Sequence, residues 1–184
     1  RVASELGLPA YLVVNVMLPN NAPGFFSSSA PDAGTSVVFC FALRSDRAHL
    51  PTTNEPCVRL AQAFFAGKAP GRFKFIGFLD NLTELGVPSF LSSTVKGFSG
   101  KPVVVHKTGV FHFDHPRVCE VGVDVHAFPT LVKTTLAALR GKIKSASMRA
   151  AFVLQGESDE ELPERLLGCA FVQGLDLDAA RRVV

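Results

Sequence analysis

The sequence has no run of about 18 uncharged apolar residues, so no helix in it is expected to span a membrane. Tryptophan is absent, and charged residues make up only 19% of the chain, below the usual ~25%. Hydrophobic residues, in contrast, make up 47%. A high apolar and low charged content has two interpretations. The chain is either an ordinary compact protein or one with additional apolar surface, which a cavity, a partner or a membrane hides from water.

Sequence signatures of common catalytic and redox sites are also missing. No serine occupies a nucleophile-elbow pattern, and no glycine-rich phosphate loop precedes a predicted helix. Cys40, Cys57, Cys119 and Cys169 are far apart in sequence, which excludes a zinc knuckle and a closely spaced redox pair. Three of the four lie in strongly apolar runs, so we interpret the cysteines as small buried residues in a reducing compartment.

Basic residues are scattered along the chain, and the net charge is only +3. One local cluster comprises Arg140, Lys142, Lys144 and Arg149, at the end of a predicted helix, where cations favour the helix dipole. Nucleic-acid binding would require a denser basic stripe with interleaved aromatic residues. We therefore predict no nucleic-acid partner.

We predict one domain over residues 1–184, because a chain of this length can bury roughly 70% of its unfolded surface in a single core. The pattern of apolar residues predicts that its fold is α+β. The predicted strands are 10–18, 36–43, 72–79, 102–106, 109–114, 118–126, 147–155 and 169–173. Short links between them favour a mixed, mainly antiparallel, curved sheet, packed with two longer and one or two short helices. The strand at 36–43 is apolar on both faces, which is typical of a central strand.

The first long helix supplies part of the predicted ligand site. Asn54 is its expected N-cap, with Pro56 in the first turn and Gly67 at the end. Its apolar face comprises Cys57, Leu60, Ala61, Phe64 and Phe65, which have the spacing of one helical face.

A phenylalanine set is the predicted ligand-binding site: Phe25, Phe26, Phe64, Phe65 and Phe75. Phe25 and Phe26 are adjacent in a Ser/Gly/Pro loop, where they form either a plug over the core or the lid of a pocket or a tip that touches a membrane. Phe64 and Phe65 are expected to bury against the sheet. Phe75 is expected on the strand at 72–79, on the opposite face from Arg72 and Lys74.

One polar pair is predicted on two neighbouring strands, 109–114 and 118–126. A three-residue loop matches their apolar faces and places His112 opposite Glu120. Such a pair could act as a base relay, but an ordinary cross-strand pair on a half-exposed face is the simpler interpretation. We therefore predict no catalytic residue, and an acyl-handling enzyme that uses His112 and Glu120 remains an alternative.

Strand geometry argues against two other polar arrangements in this region. Glu120 and Asp124 lie four residues apart on one strand, which separates them by ~13 Å, too far for a glycosidase pair. His112 and His115 face opposite sides of an extended strand, so a metal site in the run from 112 to 115 would require a loop geometry instead. No metal ion or other cofactor is predicted.

An acidic segment follows the strand at 147–155. Asp159, Glu160 and Glu161 are expected to begin a short helix with Pro163 in its first turn. The leucines at 162, 166 and 167 would then pack back onto the sheet, and the acids would be exposed. The alternative is that the acids dock a basic partner.

Several segments, in the same order, resemble the C-terminal domain of the plant Enhanced Disease Resistance 2 proteins. They are residues 9–16 (PAYLVVNV), 71–76 (GRFKFI), 95–97 with 100–102 (VKG and GKP), 118–125 (VCEVGVDV) and 155–168 (QGESDEELPERLLG). Two positions differ from the family: Phe90 stands near the place of its tryptophan, and Gly77 stands where the plant proteins often have proline. The opening segment of the family domain, before residue 1, is missing or diverged.

The resemblance implies a non-catalytic module that works at internal membranes, because in some plant members this domain follows pleckstrin-homology and lipid-transfer-type domains. We expect a non-enzymatic domain that binds a lipid or another apolar ligand, or that associates with a membrane. The alternatives are a structural or adaptor subunit of a larger assembly and the acyl-handling enzyme described above. The expected location is intracellular and peripheral to a membrane.

Overall fold

The computed structural model describes residues 2–21, 34–44 and 51–181, so Phe25 and Phe26 lie outside the described residues. The α-helices in these ranges are α1 (Val2–Leu6), α2 (Pro56–Phe65), α3 (Ser89–Phe98) and α4 (Thr130–Arg140). The strands are β1 (Tyr11–Pro19), β2 (Gly34–Ala42), β3 (Phe73–Leu79), β4 (Pro102–Val104), β5 (Gly109–His112), β6 (Val118–Asp124), β7 (Ser147–Leu154) and β8 (Leu166–Gln173).

These strands form two four-stranded sheets. The first has the order β2-β1-β6-β5, and the second has the order β4-β3-β7-β8. All neighbouring strands are antiparallel except β1 and β6, which are parallel. The predicted α+β class with mainly antiparallel pairing is confirmed, and the strands are divided between two sheets.

Phenylalanine rings join the two sheets face to face. Phe152 of β7 meets the rings of Phe39 and Phe41 of β2 edge-on, each at 5.7 Å between ring centroids. Gly168 of β8 lies below Phe41, where a Cβ atom would come within 2.7 Å of the ring. The missing side chain therefore allows the sheets to approach each other at this edge.

Helix α2 covers one end of the space between the sheets. The predicted face is largely confirmed, because Leu60, Ala61 and Phe64 are buried, whereas Phe65 is half-buried. The helix begins at Pro56, as expected for a residue without a backbone N–H donor. Glu55, rather than Asn54, occupies the N-cap position.

Two predictions about apolar strands are wrong. Strand β2 lies at the edge of its sheet, not in the centre, and its outward-facing residues are exposed. Cys40 and Cys169 are exposed on edge strands, and only Cys119 is buried. An apolar run does not specify position in a sheet, because an edge strand also packs one face on the core. Burial raises the pKa of the Cys119 thiol to about 12.

The predicted pairing of the two polar strands is confirmed. His112 of β5 lies opposite Glu120 of β6. Both side chains are exposed, whereas Cys119, Val121 and Val123 on the other face of β6 are buried in the core. The polar face of this hairpin is therefore solvated.

Candidate functional site

A cavity of about 590 Å³ lies beside α1 and α2, where β1 begins and β2 and β7 end. The chain that leads into β8 forms its remaining wall. The apolar lining comprises Leu6, Leu8, Pro9, Ala10, Leu12, Phe41, Ala42, Leu43, Pro51, Cys57, Val58, Leu60, Ala61, Phe65, Leu154, Pro163, Leu166 and Leu167. Its volume falls within the range of small-molecule pockets, ~300–1,000 Å³.

Leu6, Leu8 and Pro9 form one side of this cavity. Gly7 has φ +64, a left-handed conformation that lets the chain turn out of α1 towards β1. Gln62 of α2 fixes this turn, because its Nε2 donates a 2.7 Å hydrogen bond to the carbonyl oxygen of Leu6. Leu6 and Leu8 are thereby held against α2 at the cavity wall.

The charged residues of the lining, within the described part of the chain, are Arg44, Glu164 and Arg165. Lys74 neutralises Glu164, since its Nζ donates to both carboxylate oxygens at 2.8 and 2.6 Å. Arg165 lies 3.3 Å from a carboxylate oxygen of Glu55, at the N-cap of α2. This ion pair connects α2 with the segment that leads into β8.

The acidic segment between β7 and β8 differs from the prediction. Asp159–Glu161 forms a single 3-10 turn that ends before Pro163, so Pro163 lies outside it. Two of the three leucines, Leu162 and Leu166, are exposed. The third, Leu167, is half-buried against the core, as predicted. Glu157, Glu161 and Glu164 make the ion pairs that hold the segment.

Arg72 and Lys74 hold this segment against the second sheet. Arg72 pairs with Glu157 and Glu161, each at 2.8 Å. The pKa of Glu161 is lowered, because its carboxylate accepts a hydrogen bond from the backbone N–H of Glu157 and lies next to Arg72. Sequence reasoning placed Arg72 and Lys74 on a strand but did not pair them with acids about 90 residues later.

The structure separates the predicted phenylalanine set. Phe65 lines the cavity. Phe64 is fully buried in the core, and Phe75 packs against Phe152 with 5.7 Å between ring centroids. Phe25 and Phe26 lie outside the described residues. Whether any of the set contacts a ligand stays a prediction.

Most of the lining comes from residues that the sequence did not single out. Phe41 belongs to the edge strand that was predicted to be central, and α1 was not predicted at all. The available signal was the pair Leu6 and Leu8 on either side of Gly7, directly before the strand predicted at 10–18.

Other candidate sites are less suited to a ligand. A second apolar cavity, beside α4, has a volume of only about 70 Å³. His112 and Glu120 do not line the larger cavity. Within residues 2–21, 34–44 and 51–181, no cluster of three or more His, Cys, Asp and Glu side chains could hold a metal ion. No helix in the same ranges is long and apolar enough to cross a membrane.

Comparison with known proteins identifies the family. The family model described as "Protein ENHANCED DISEASE RESISTANCE 2, C-terminal" matches residues 2–176, which confirms the resemblance seen in the sequence. The matched range includes the whole cavity lining and the acidic segment. No curated protein and no solved structure matches the chain.

Proposed function

This chain belongs to the Enhanced Disease Resistance 2 C-terminal family, and we propose that it is a non-enzymatic domain that binds a lipid or another apolar ligand. The ligand occupies the cavity between α1, α2 and the chain leading into β8. The family match itself names no ligand.

The observation that carries the proposal is the volume and composition of the cavity. Its walls are mostly leucine, alanine, proline and phenylalanine side chains, and its volume of about 590 Å³ is large enough for a small molecule. Transfer of an apolar ligand from water into such a cavity is favourable by about 25 cal/mol for each Å² of apolar surface buried. A lining of this kind binds apolar chains and offers few groups for chemistry.

Native mass spectrometry of the purified protein tests the proposal, combined with Ala10→Phe. Ala10 is half-buried and lines the cavity, so the larger side chain takes space that the ligand needs. We expect the wild-type chain to carry a bound lipid, or to take one up from a lipid mixture, with about one molecule per chain. Ala10→Phe should reduce the bound fraction about tenfold, corresponding to about 1.4 kcal/mol.

Ala179→Phe is the matched control, because Ala179 is exposed and does not line the cavity. It should leave the bound fraction unchanged. A wild-type chain that never carries or takes up an apolar molecule would contradict the proposal. Equal loss in both variants would place the binding site elsewhere.

A role as an adaptor in a larger assembly, or at a membrane surface, is the second candidate. The outer face of the second sheet favours it, because Phe78 and Phe171 lie on either side of Arg149 in neighbouring strands. Both rings are exposed, as is Val104 on the same sheet. Large exposed apolar patches are typical of interaction sites. Partner subunits recovered with the chain, without bound lipid, would favour this second candidate.

A further inference from the structure

We propose that two copies of this chain associate through strand β2, which pairs with β2 of the second copy in antiparallel orientation about a two-fold axis at Val38. This inference goes beyond the proposed function, because it concerns a free edge of the first sheet and does not depend on what the cavity binds. The partner that this edge fits is a second, identical and uncharged strand.

The edge of β2 lacks the features that prevent strand pairing. Gly34–Ala42 contains no charged residue and no proline, and it pairs with β1 in a regular register along its whole length. Charges, prolines and bulges on edge strands normally prevent pairing with another chain. Among the described residues, no strand pairs with the other side of β2. Its backbone therefore offers a template for one more strand.

The other edge strands of the two described sheets carry protective features. Strand β4 has three residues and begins with Pro102, and β5 has only four residues. The pairing of β8 with β7 has a register shift next to Phe152, where the ladder is irregular. Pairing through β2 leaves no second unprotected edge in these sheets. Association therefore stops at a closed dimer and does not continue into a fibre.

The backbone of β2 alternates between groups that bind β1 and groups that point to the free edge. Leu43 donates a 2.8 Å hydrogen bond to the carbonyl oxygen of Ala10, which lies opposite it in the register of β1 and β2. Because hydrogen-bonded pairs alternate in an antiparallel ladder, the even-numbered residues Ser36, Val38 and Cys40 direct their N–H and C=O groups away from β1. In the dimer, Val38 pairs with Val38 of the second copy, and Ser36 pairs with its Cys40.

The side of the molecule at β2 and β8 also leaves the core partly open. The two strands face each other there, since a Cβ atom on Gly168 would meet the ring of Phe41. Phe39 and Phe41 point to the core but are only half-buried, whereas Val14 of the neighbouring strand β1 is fully buried. On the opposite side, the link from β4 to β5 crosses between the sheets, and its Val105 is buried. A partner is therefore expected on the open side.

A second copy covers both edges of the open side at once. Like β2, strand β8 contains no charged residue. A two-fold axis perpendicular to the sheets brings β2 beside β2 and β8 beside β8, so no like charges of these strands meet.

The size of the open side is sufficient for a specific but weak dimer. The nine residues of β2 extend over about 30 Å, and two layers about 10 Å apart, with their side chains, are about 20 Å wide. The contact covers roughly 600 Å² on each copy, and the total of about 1,200 Å² is at the lower end of specific interfaces. We therefore expect a micromolar dissociation constant.

Sedimentation velocity of the full chain over micromolar concentrations tests the inference, combined with Val38→Lys. Val38 is 53% exposed, so a lysine is tolerated in the monomer, but in the dimer it lies directly opposite the same lysine. We expect the wild-type chain to dimerise and Val38→Lys to raise the dissociation constant at least about tenfold. Val110→Lys is the matched control, because Val110 is 48% exposed on β5, the opposite edge of the same sheet. It should leave the dissociation constant unchanged.

A disulfide between the two copies tests the register. The Cα atoms of a hydrogen-bonded pair lie about 5.5 Å apart, which suits a disulfide. Ser36→Cys should therefore form a covalent dimer with Cys40 of the second copy on oxidation, seen in a non-reducing gel. Positions 36 and 40 of one strand are ~13 Å apart and cannot bridge within a chain. Val110→Cys should remain monomeric in the same gel.

The outcomes separate this inference from the proposed function. A chain that is monomeric at every concentration overturns the inference, whether or not the cavity binds an apolar molecule. A dimer that Val38→Lys leaves intact, or equal cross-linking of Ser36→Cys and Val110→Cys, places the contact outside β2 and overturns it as well. Oligomers larger than a dimer contradict the closed two-fold arrangement. If thermal unfolding shows that Val38→Lys is misfolded, the cross-link decides.

Discussion

Phe64→Ala is expected to lower the free energy of unfolding by ~3–5 kcal/mol. Phe64 has no exposed surface, and its ring lies within 6 Å of four others, those of Phe65, Phe73, Phe111 and Phe113. Truncation removes these contacts and leaves a void that a packed core cannot fully close.

The measurement is urea denaturation followed by circular dichroism, with Phe90→Ala as control. Phe90 is 68% exposed, so its truncation should change stability by less than about 0.5 kcal/mol. If Phe64→Ala cost less than ~1 kcal/mol, the placement of α2 over the core would be wrong.

Glu164→Gln is expected to lower the free energy of unfolding by ~2–3 kcal/mol, because it leaves the ammonium group of Lys74 without a counter-charge. Lys74 is buried, with only 8% of its surface exposed. The full cost of breaking a buried ion pair is ~3–5 kcal/mol. Glu164 is 28% exposed, and a glutamine oxygen can still accept hydrogen bonds. We therefore expect a loss of stability smaller than this full cost.

Glu160→Gln is the matched control in the same segment. The Glu160 side chain is exposed, and its change should cost less than ~1 kcal/mol. The double variant Lys74→Met and Glu164→Gln should recover part of the lost stability, since it removes the buried charge. Equal effects of Glu164→Gln and Glu160→Gln in chemical denaturation would contradict the role of this ion pair.

The ion pairs of Arg72 and Lys74 also connect stability to the candidate site. Glu164, Arg165, Leu166 and Leu167 line the cavity, and their position depends on the segment that these pairs hold in place. Loss of the Lys74 pair should therefore loosen one cavity wall as well as the fold. Residues 155–168, which resemble the plant family, include the glutamates that make these ion pairs.

The sequence predicted the local elements more reliably than their assembly. Apolar runs located β1, β6 and β7, and the alternation along β6 fixed the register that places His112 opposite Glu120. The helix signal of Pro56 marked the start of α2. These features depend on neighbouring residues, so a local pattern is sufficient to find them.

Long-range pairing could not be predicted in the same way. No local pattern shows that β1 pairs in parallel with β6, a strand more than 100 residues away, or that β2 lies at an edge. The acidic run has the charge pattern of a helix start, which predicted a short helix. In the structure, acids of this segment pair instead with Arg72 and Lys74, which are distant in sequence. The cavity depends on such distant contacts, and Phe65 alone lines it among the described members of the predicted set, Phe64, Phe65 and Phe75.

Protection of Cys57 by a bound lipid is the most direct test of whether an apolar ligand occupies the cavity. Cys57 is half-buried and lines the cavity, whereas Cys40 and Cys169 are exposed and do not line it. The rate of thiol modification at each cysteine can be followed by peptide mass spectrometry, with and without saturating palmitate. We expect palmitate to slow the modification of Cys57 several-fold and to leave the rates at Cys40 and Cys169 unchanged. An unchanged rate at Cys57, under conditions where palmitate is bound, would contradict it.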